Sequence, residues 1–366
     1  MADLRLVLAG GGTAGHVNPL LATAAALAPA DILVLGTQEG MEARLVPAAG
    51  LHLRHIPRVP LPRRPSADLL RLPLRLRRAI REAREAISDH RAHAVVGFGG
   101  YVATPAYFAA RRLGIPIVVH EQNAVPGLAN RLGARWADAV AVTFTDTPLR
   151  GAQLVGLPLR AAISELLESL RRDPQGTRRA AARRLGLAPD RPTLLVTGGS
   201  LGAQRINEAM TAAAPDLSRA GIQVLHLTGA GKDGPVRAAA GEGYHVMPYL
   251  DDMALAYACA DFVVCRAGAG TVSELTALGI PAMYVPLPIG NGEQRRNAAG
   301  VVSAGGGVLV EDEHFGHGDI IGTVIPLLRN DEQREAMATR AEVVGIQDGA
   351  QRLASLVTAI ATKERA

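Results

Sequence analysis

The 366-residue chain is short of several things, and each shortage removes a class of function. Cysteine occurs only at Cys259 and Cys265, in one apolar stretch. That spacing is neither a disulfide framework nor a metal-ligand pattern, and it points to a reducing, cytoplasmic compartment. Aromatic residues make up 3% of the chain, too few to build stacking platforms along a nucleic-acid path. Lysine is confined to Lys232 and Lys363, so arginine serves as the general cation and the net charge of +5 is no sign of nucleic-acid binding; none is expected. No stretch approaches the roughly 20 uninterrupted apolar residues of a membrane span. The opening MADLRLVLAGGG runs straight into a strand and a glycine turn, without the cationic region or cleavage site of a leader. The expectation is a soluble protein, or one that rests on a membrane surface. A D-x-D metal site is also missing, since Asp251 and Asp252 read as a helix start before Met253; no metal and no cofactor is expected.

What the chain has is apolar content, 48%, and glycine in two telling places. AGGGTAGH at 9–16 and TGGSLGAQRIN at 197–207 each follow an apolar β-type run and lead into a helical segment. A glycine turn between strand and helix exposes backbone N–H groups at the positive helix end, so each half carries a candidate phosphate site. Two such halves suggest one cleft between them.

Short β-type runs recur between helical stretches at Leu4–Leu8, Ile32–Leu35, Ala94–Gly97, Ile117–His120 and Ala139–Val142. The rhythm restarts with Thr193–Thr197, Val224–Leu227, Phe262–Cys265 and Ala282–Val285. These are parallel βαβ units, which predict an α/β protein of two Rossmann-like domains. The break falls near GLPLR at 156–160, giving domains 1–160 and 161–345, with a closing helix at about 346–366 able to pack back on the first.

Each motif has a plain structural alternative. Gly10, Gly12 and Gly15 satisfy G-x-G-x-x-G, which makes a dinucleotide site the first rival. That rival needs an acidic residue at the end of the second strand to hold the ribose, and here the strand ends Leu35–Gly36–Thr37. His16 could be a simple cap, but at the end of a glycine turn a neutral imidazole faces bound anion and can accept a proton. In CRAGAGTVSE at 265–274, small residues permit close ligand approach, while Thr271 and Glu274 equally match the capping box T-x-x-E. HEQN at 120–123 puts polar groups where open α/β sheets hold ligands, or simply satisfies buried polar atoms. In GEQRRNA at 292–298, Gln294 and Asn297 are either ligand contacts or ordinary loop polarity. Between 58 and 84, Arg58, Arg63, Arg64, Arg71, Arg75, Arg77, Arg78, Arg81 and Arg84 interleave with Leu69, Leu70, Leu72, Leu74, Leu76 and Ile80. Such a strip suits the headgroup region of an anionic membrane; the alternative is a surface helix packing its leucines on the core.

In order and spacing, GGTAGH, GFGGYV at 97–102, HEQN, GGSLGA, CRAGAGTVSE and GNGEQRRNA resemble the MurG family over about residues 4–360. These are N-acetylglucosaminyltransferases of the bacterial cell wall. The resemblance implies the two-domain GT-B glycosyltransferase fold. It places the acceptor and the membrane on the first domain and UDP-N-acetylglucosamine on the second. By the same resemblance Glu274 holds the uridine ribose, Ser200 reaches the diphosphate, and the Leu250 backbone reads the uracil. Ala269, Gly270 and Thr271 line the nucleotide, Gln294 holds the sugar hydroxyls, and Thr13, Ala14, Gly15, Asn123 and Arg160 complete the donor set. Gly12 and Tyr101 face the acceptor, and His16 and Glu121 match catalytic positions, His16 being the favoured base. Ala14, Leu157 and Leu201 depart from the usual glycine, asparagine and glutamine, so Leu201 removes an amide near the nucleotide.

The reaction implied is an inverting, metal-independent transfer to the 4-hydroxyl of an undecaprenyl-linked muramoyl-pentapeptide, on the cytoplasmic face of the cell membrane. Helix ends, backbone amides, Ser200 and Arg160 would hold the departing diphosphate. A sugar-nucleotide epimerase, or a transferase to a different lipid, shares the expected fold.

Overall fold

The computed structural model describes residues 4–59, 67–199, 203–289 and 291–363, with no side-chain description for 67–71. The chain forms two compact units, Met1–Arg160 together with Asp348–Ala366, and Ala161–Gln347.

The first unit is a seven-stranded sheet of β1 (Arg5–Gly10), β2 (Asp31–Gly36), β3 (His52–His55), β4 (Ala94–Gly99), β5 (Ile117–Glu121), β6 (Ala139–Val142) and β7 (Ala152–Leu154), in the order β3-β2-β1-β4-β5-β6-β7. Every pairing is parallel. Parallel sheets are covered on both faces, so their inner strands are apolar throughout, and all six residues of β4 are buried. On one face Leu6, Leu8 and Val34 share a core with Leu353, Ala354 and Val357 of the helix Gly349–Lys363. On the other, Val7, Leu35 and Val95 meet Ala83, Ala103 and Tyr107.

The helix Ala67–Asp89 turns Ala79, Ile80, Ala83, Ala86 and Ile87 inward, a spacing of three and four that makes one buried stripe. Ile80, grouped by sequence with a surface strip, therefore belongs to the core. Leu74 is 67% exposed, while Arg78 pairs along the helix with Glu82 and Arg81 with Glu85. Arg63 and Arg64 lie outside the described residues.

The second unit has six parallel strands, β8 (Thr193–Thr197), β9 (Gln223–Leu227), β10 (Tyr244–Met247), β11 (Phe262–Cys265), β12 (Ala282–Tyr284) and β13 (Gly307–Leu309), ordered β10-β9-β8-β11-β12-β13. Its core joins Leu194, Val196 and Phe262 to Ile206, Met210 and Leu217 of the helix Gln204–Arg219. In each unit the chain fills one side of the sheet, then crosses back to fill the other. The loops leaving β1 and β4, and those leaving β8 and β11, thus diverge at a switch point, where open α/β sheets leave a crevice. The four edge strands, β3, β7, β10 and β13, differ from the inner strands in being only partly buried.

The Tyr107 ring crosses β4 at Gly97, where an added Cβ would stand 2.0 Å from the phenol oxygen. Its hydroxyl donates to Asn130 Oδ1 at 2.8 Å. Gly97→Ala should cost about 1–3 kcal/mol, the usual scale of overpacking. In denaturant titrations the Gly97→Ala and Tyr107→Leu changes should be strongly non-additive; strict additivity would refute this steric account.

Candidate functional site

β1 ends in the turn Gly11–Thr13. Gly12 has φ +89°, a left-handed geometry that favours glycine. Thr13 is extended, and its carbonyl accepts the His16 and Val17 amides at 3.1 Å each, opening the helix Ala14–Ala26. In that first turn the Ala14 and Gly15 amides have no intrahelical acceptor, which leaves them for an anion. The Gly12 amide is used differently. It donates to Glu42 Oε2 at 2.8 Å. Glu42 opens the helix Glu42–Ala48 and is fully buried, its Oε1 accepting the Thr37 amide at 2.9 Å and the Thr37 hydroxyl at 2.8 Å. Burial pushes this carboxyl up, but the Gly12 and Thr37 donors outweigh it and hold the group below the usual carboxylate range. Nothing in the local sequence marks Glu42; it reaches the turn because the helix it opens packs beside β2, β3 and the helix Ala14–Ala26. An acidic side chain thus stands near the glycine turn after all, but saturated, and it leaves no free carboxylate for a dinucleotide ribose.

The His16 ring hydrogen-bonds Thr13 Oγ1 through Nδ1 at 3.0 Å and lies against Gly99. A Cβ on Gly99 would stand 3.2 Å from His16 Nε2, and its φ of +90° also calls for glycine. Burial pushes the imidazole below its ordinary value, against opposing contributions from a Gly11 backbone hydrogen bond and the Glu42 charge. The ring is therefore neutral at pH 7, the form that accepts a proton. Tyr101 follows, partly exposed, with the Arg58 guanidinium 5.3 Å from its ring centre. A cavity of about 70 Å³ opens here between Gly12, Thr37, Glu39, Glu42, Arg58 and Tyr101.

At the end of β5, Glu121 is 2% exposed. Its Oε1 accepts the Asn123 amide at 2.9 Å, and its Oε2 accepts Gly127 N–H at 3.0 Å and Asn130 Nδ2 at 2.9 Å. Burial raises its pKa against those donors. The carboxyl ties down its own loop, half-buried Asn123 included, and its partner Asn130 borders Gly99, against which the His16 ring also lies. His120 is fully buried, its Nε2 3.0 Å from the Gly156 carbonyl and its Nδ1 3.0 Å from Gln122 Nε2. A donor on one nitrogen and an acceptor at the other define a neutral ring, and burial brings its pKa to about 4.

In the second unit Ala269, Gly270, Thr271 and Glu274 ride one helix, Ala269–Ala277, off the end of β11. The N-cap of that helix is Gly268, so Thr271 and Glu274 lie inside it and do not form a capping box. Glu274 is 7% exposed and accepts the Tyr257 hydroxyl at 3.0 Å. Asn297 donates to the Ala267 carbonyl, and Arg266 donates to the Val285 and Pro286 carbonyls and to Asp312. Gln294 Oε1 accepts the Leu287 amide at 2.9 Å. Sequence reading missed Tyr257 and Asp312, which are distant along the chain and carry no motif, and it gave no role to Arg266 although that residue lies within CRAGAGTVSE. Leu250 is half-buried beyond β10, and Arg160 closes the first unit. Ser200 and Leu201 lie outside the described residues. Among the described residues no three His, Cys, Asp or Glu side chains gather as a metal site, and no helix is long and apolar enough to cross a membrane.

Two switch-point sheets, each with a small-residue turn leading into a helix, are what this chain offers a ligand, and its sequence places it in a glycosyltransferase class. The glycosyltransferase family 28 N-terminal domain matches residues 6–142, and the C-terminal domain of the same family matches 193–353. The particular family follows from closer relatives. A UDP-N-acetylglucosamine–N-acetylmuramyl-(pentapeptide) pyrophosphoryl-undecaprenol N-acetylglucosamine transferase of Nocardioides sp. is 54% identical over 97% of both chains. The enzyme of that name from Paenarthrobacter aurescens is 53% identical over 97% of this chain and 95% of its own. The crystal structure of Acinetobacter baumannii MurG is 28% identical with a TM-score of 0.78, covering 97% of this chain and 99% of that one. The chain belongs to the MurG family. A UDP-N-acetylglucosamine 2-epimerase from Neisseria meningitidis, 15% identical with a TM-score of 0.70 over 98% of this chain and 100% of its own, shares the fold.

The buried neutral His120 ties stability to pH. Its folded pKa of about 4 lies below its ordinary 6.5, so the unfolded chain binds the proton first. Its contribution is complete above pH 6.5 and is lost as pH falls toward 4. His226, brought to about 3 by burial, acts in the same direction. Between pH 7 and 4.5 the parent should lose about 2 kcal/mol more than His120→Gln, measured by urea titration at both pH values. Equal losses would show that His120 titrates normally.

Proposed function

We propose that this chain transfers N-acetylglucosamine from UDP-N-acetylglucosamine to the 4-hydroxyl of undecaprenyl-pyrophosphoryl-muramoyl-pentapeptide, making the lipid-linked disaccharide precursor of the cell wall. The observation that carries the reading is 54% identity over 97% of both chains with a transferase of that name. A neutral His16 beside an open crevice, and a buried Glu274 behind a small-residue turn, supply the two things the chemistry needs. The acceptor hydroxyl gives its proton to His16 Nε2 as its oxygen bonds to C1 of the sugar. The bond from C1 to the diphosphate oxygen breaks, its electron pair leaves with UDP, and the configuration at C1 inverts.

In this reading Glu274 accepts from the ribose hydroxyls, with Ala269, Gly270, Thr271, Leu250 and Ser200 around the nucleotide and Gln294 at the sugar. Thr13, Ala14, Gly15, Asn123 and Arg160 complete the donor set. The Ala14 and Gly15 amides and the helix end are the anion donors of the first unit. Gly12, whose amide is spent on Glu42, serves by shape, and Tyr101 faces the acceptor. Glu121 keeps the β5 loop in place while His16 is the base. Incubation with donor and lipid-linked acceptor should yield UDP and disaccharide, with turnover preserved in EDTA. His16→Ala should lose kcat by about 100-fold or more while keeping donor affinity, and Glu274→Ala should weaken donor binding. Epimerised donor without disaccharide would overturn the assignment.

The enzyme works at the cytoplasmic face of the membrane, since the acceptor's polyprenyl tail stays in the bilayer. Exposed Leu74, with half-buried Leu72 and Leu76 and the surrounding arginines, supports docking at the start of the helix Ala67–Asp89. Cations there act over about 8 Å at physiological salt. Flotation with anionic vesicles should weaken with salt and with Leu74→Gln/Arg77→Gln. Turnover of a soluble short-chain acceptor should survive that double change. Undiminished flotation of the variant would remove the docking role.

A further inference from the structure

Glu42 takes no part in the transfer as described, yet the turn after β1 and the connection after β2 are both built around it. An added Cβ would stand 2.4 Å from its atoms at Gly11, 2.6 Å at Gly36 and 2.1 Å at Gly40, so each of these chain passes is held close by having no side chain. Three donors converge on the carboxylate: Gly12 N–H on one oxygen, Thr37 N–H and hydroxyl on the other. A fully buried carboxylate is costly unless its oxygens are satisfied in this way. A glutamine could not replace it, because its amide would turn an N–H toward either the Gly12 or the Thr37 N–H.

What the carboxylate grips is the turn that aims the base. Gly12 precedes Thr13, and Thr13 Oγ1 holds His16 Nδ1 at 3.0 Å. We propose that Glu42 is a positioning residue for the transfer, locking the Gly11–Thr13 turn and, through Thr13, directing His16 Nε2 at the acceptor hydroxyl. The proposal rests on His16 being the proton acceptor. A second effect accompanies the first: the Glu42 charge favours the imidazolium and opposes the burial that lowers the ring's pKa. Other charged groups around the turn are already committed. Glu39 and Arg58 pair at 3.2 Å, Tyr101 lies beneath Arg58, and Glu121 is consumed by its own loop.

The test compares the parent with Glu42→Gln, Glu42→Asp and the milder Thr37→Val, following donor and acceptor kinetics and the NMR titration of the His16 imidazole. Glu42→Gln should lower kcat by about 10- to 100-fold, the scale of a misaimed group, with the donor KM unchanged. Its His16 titration, and the acid limb of kcat, should move to lower pH. Glu42→Asp keeps the charge, so its titration should stay near the parent's while kcat still falls, and Thr37→Val should shift kcat the same way by less. A folded Glu42→Gln with parental kcat and a superimposable His16 titration overturns the proposal, as does a fall in kcat matched by an equal change in donor KM. If the glutamine variant does not fold, Thr37→Val decides by the same readouts. If the parent turns over no acceptor, the functional reading falls, and the His16 titration alone decides whether Glu42 governs that ring.

Discussion

Where β1 and β4 part, two backbones pass closer than any side chain would allow. A Cβ on Gly100 would stand 2.5 Å from the Gly11 carbonyl, and one on Gly99 would press on the His16 ring. That contact governs the first unit. It lets the helix Ala14–Ala26 begin directly over the end of the sheet and brings its first-turn amides to the crevice. It also sets His16 between the glycine turn and the strand β4. The half-buried imidazole sits partly out of water, and that burial lowers its pKa and keeps it neutral.

Two buried carboxylates flank this contact with opposite electrostatics. Around Glu42 the hydrogen bonds prevail over burial, so the group stays ionised and can organise a turn. Around Glu121 burial prevails over its donors. Identical side chains, both nearly inaccessible, thus differ by the balance of donors against desolvation. Ionised Glu42 at the amide of Gly12 also separates this unit from a dinucleotide-binding domain, in which the turn's amides are given to pyrophosphate.

The second unit solves a different problem with similar means. Its turn after β11 is held from outside, by Asn297 on the Ala267 carbonyl and by Arg266 bridging the following strand end to Asp312. Glu274, inside its helix and steadied by the Tyr257 hydroxyl, keeps a fixed direction without serving as a cap. Preorganisation of this kind lets a site act without rearranging during reaction.

The inner strands were legible because a parallel strand covered on both faces must be continuously apolar: β8, β11 and β6 coincide with the runs read from sequence. The edge strands β3, with HLRH, and β7, with AQL, are half solvated and paired on one side only. They become strands by docking on a neighbour, which no local pattern announces. Glycine turns, His16 and the ordered motifs of the family could likewise be read directly, since their chemistry is local. Sequence alone determined the two α/β halves and the two glycine-rich stretches that follow their first strands. Tertiary structure alone decided that Ile80 is core and Leu74 is not, that Thr271 and Glu274 form no capping box, and that Glu42 lies beneath the first turn. Those outcomes depend on which segments pack together, and packing joins residues that sequence spacing keeps apart.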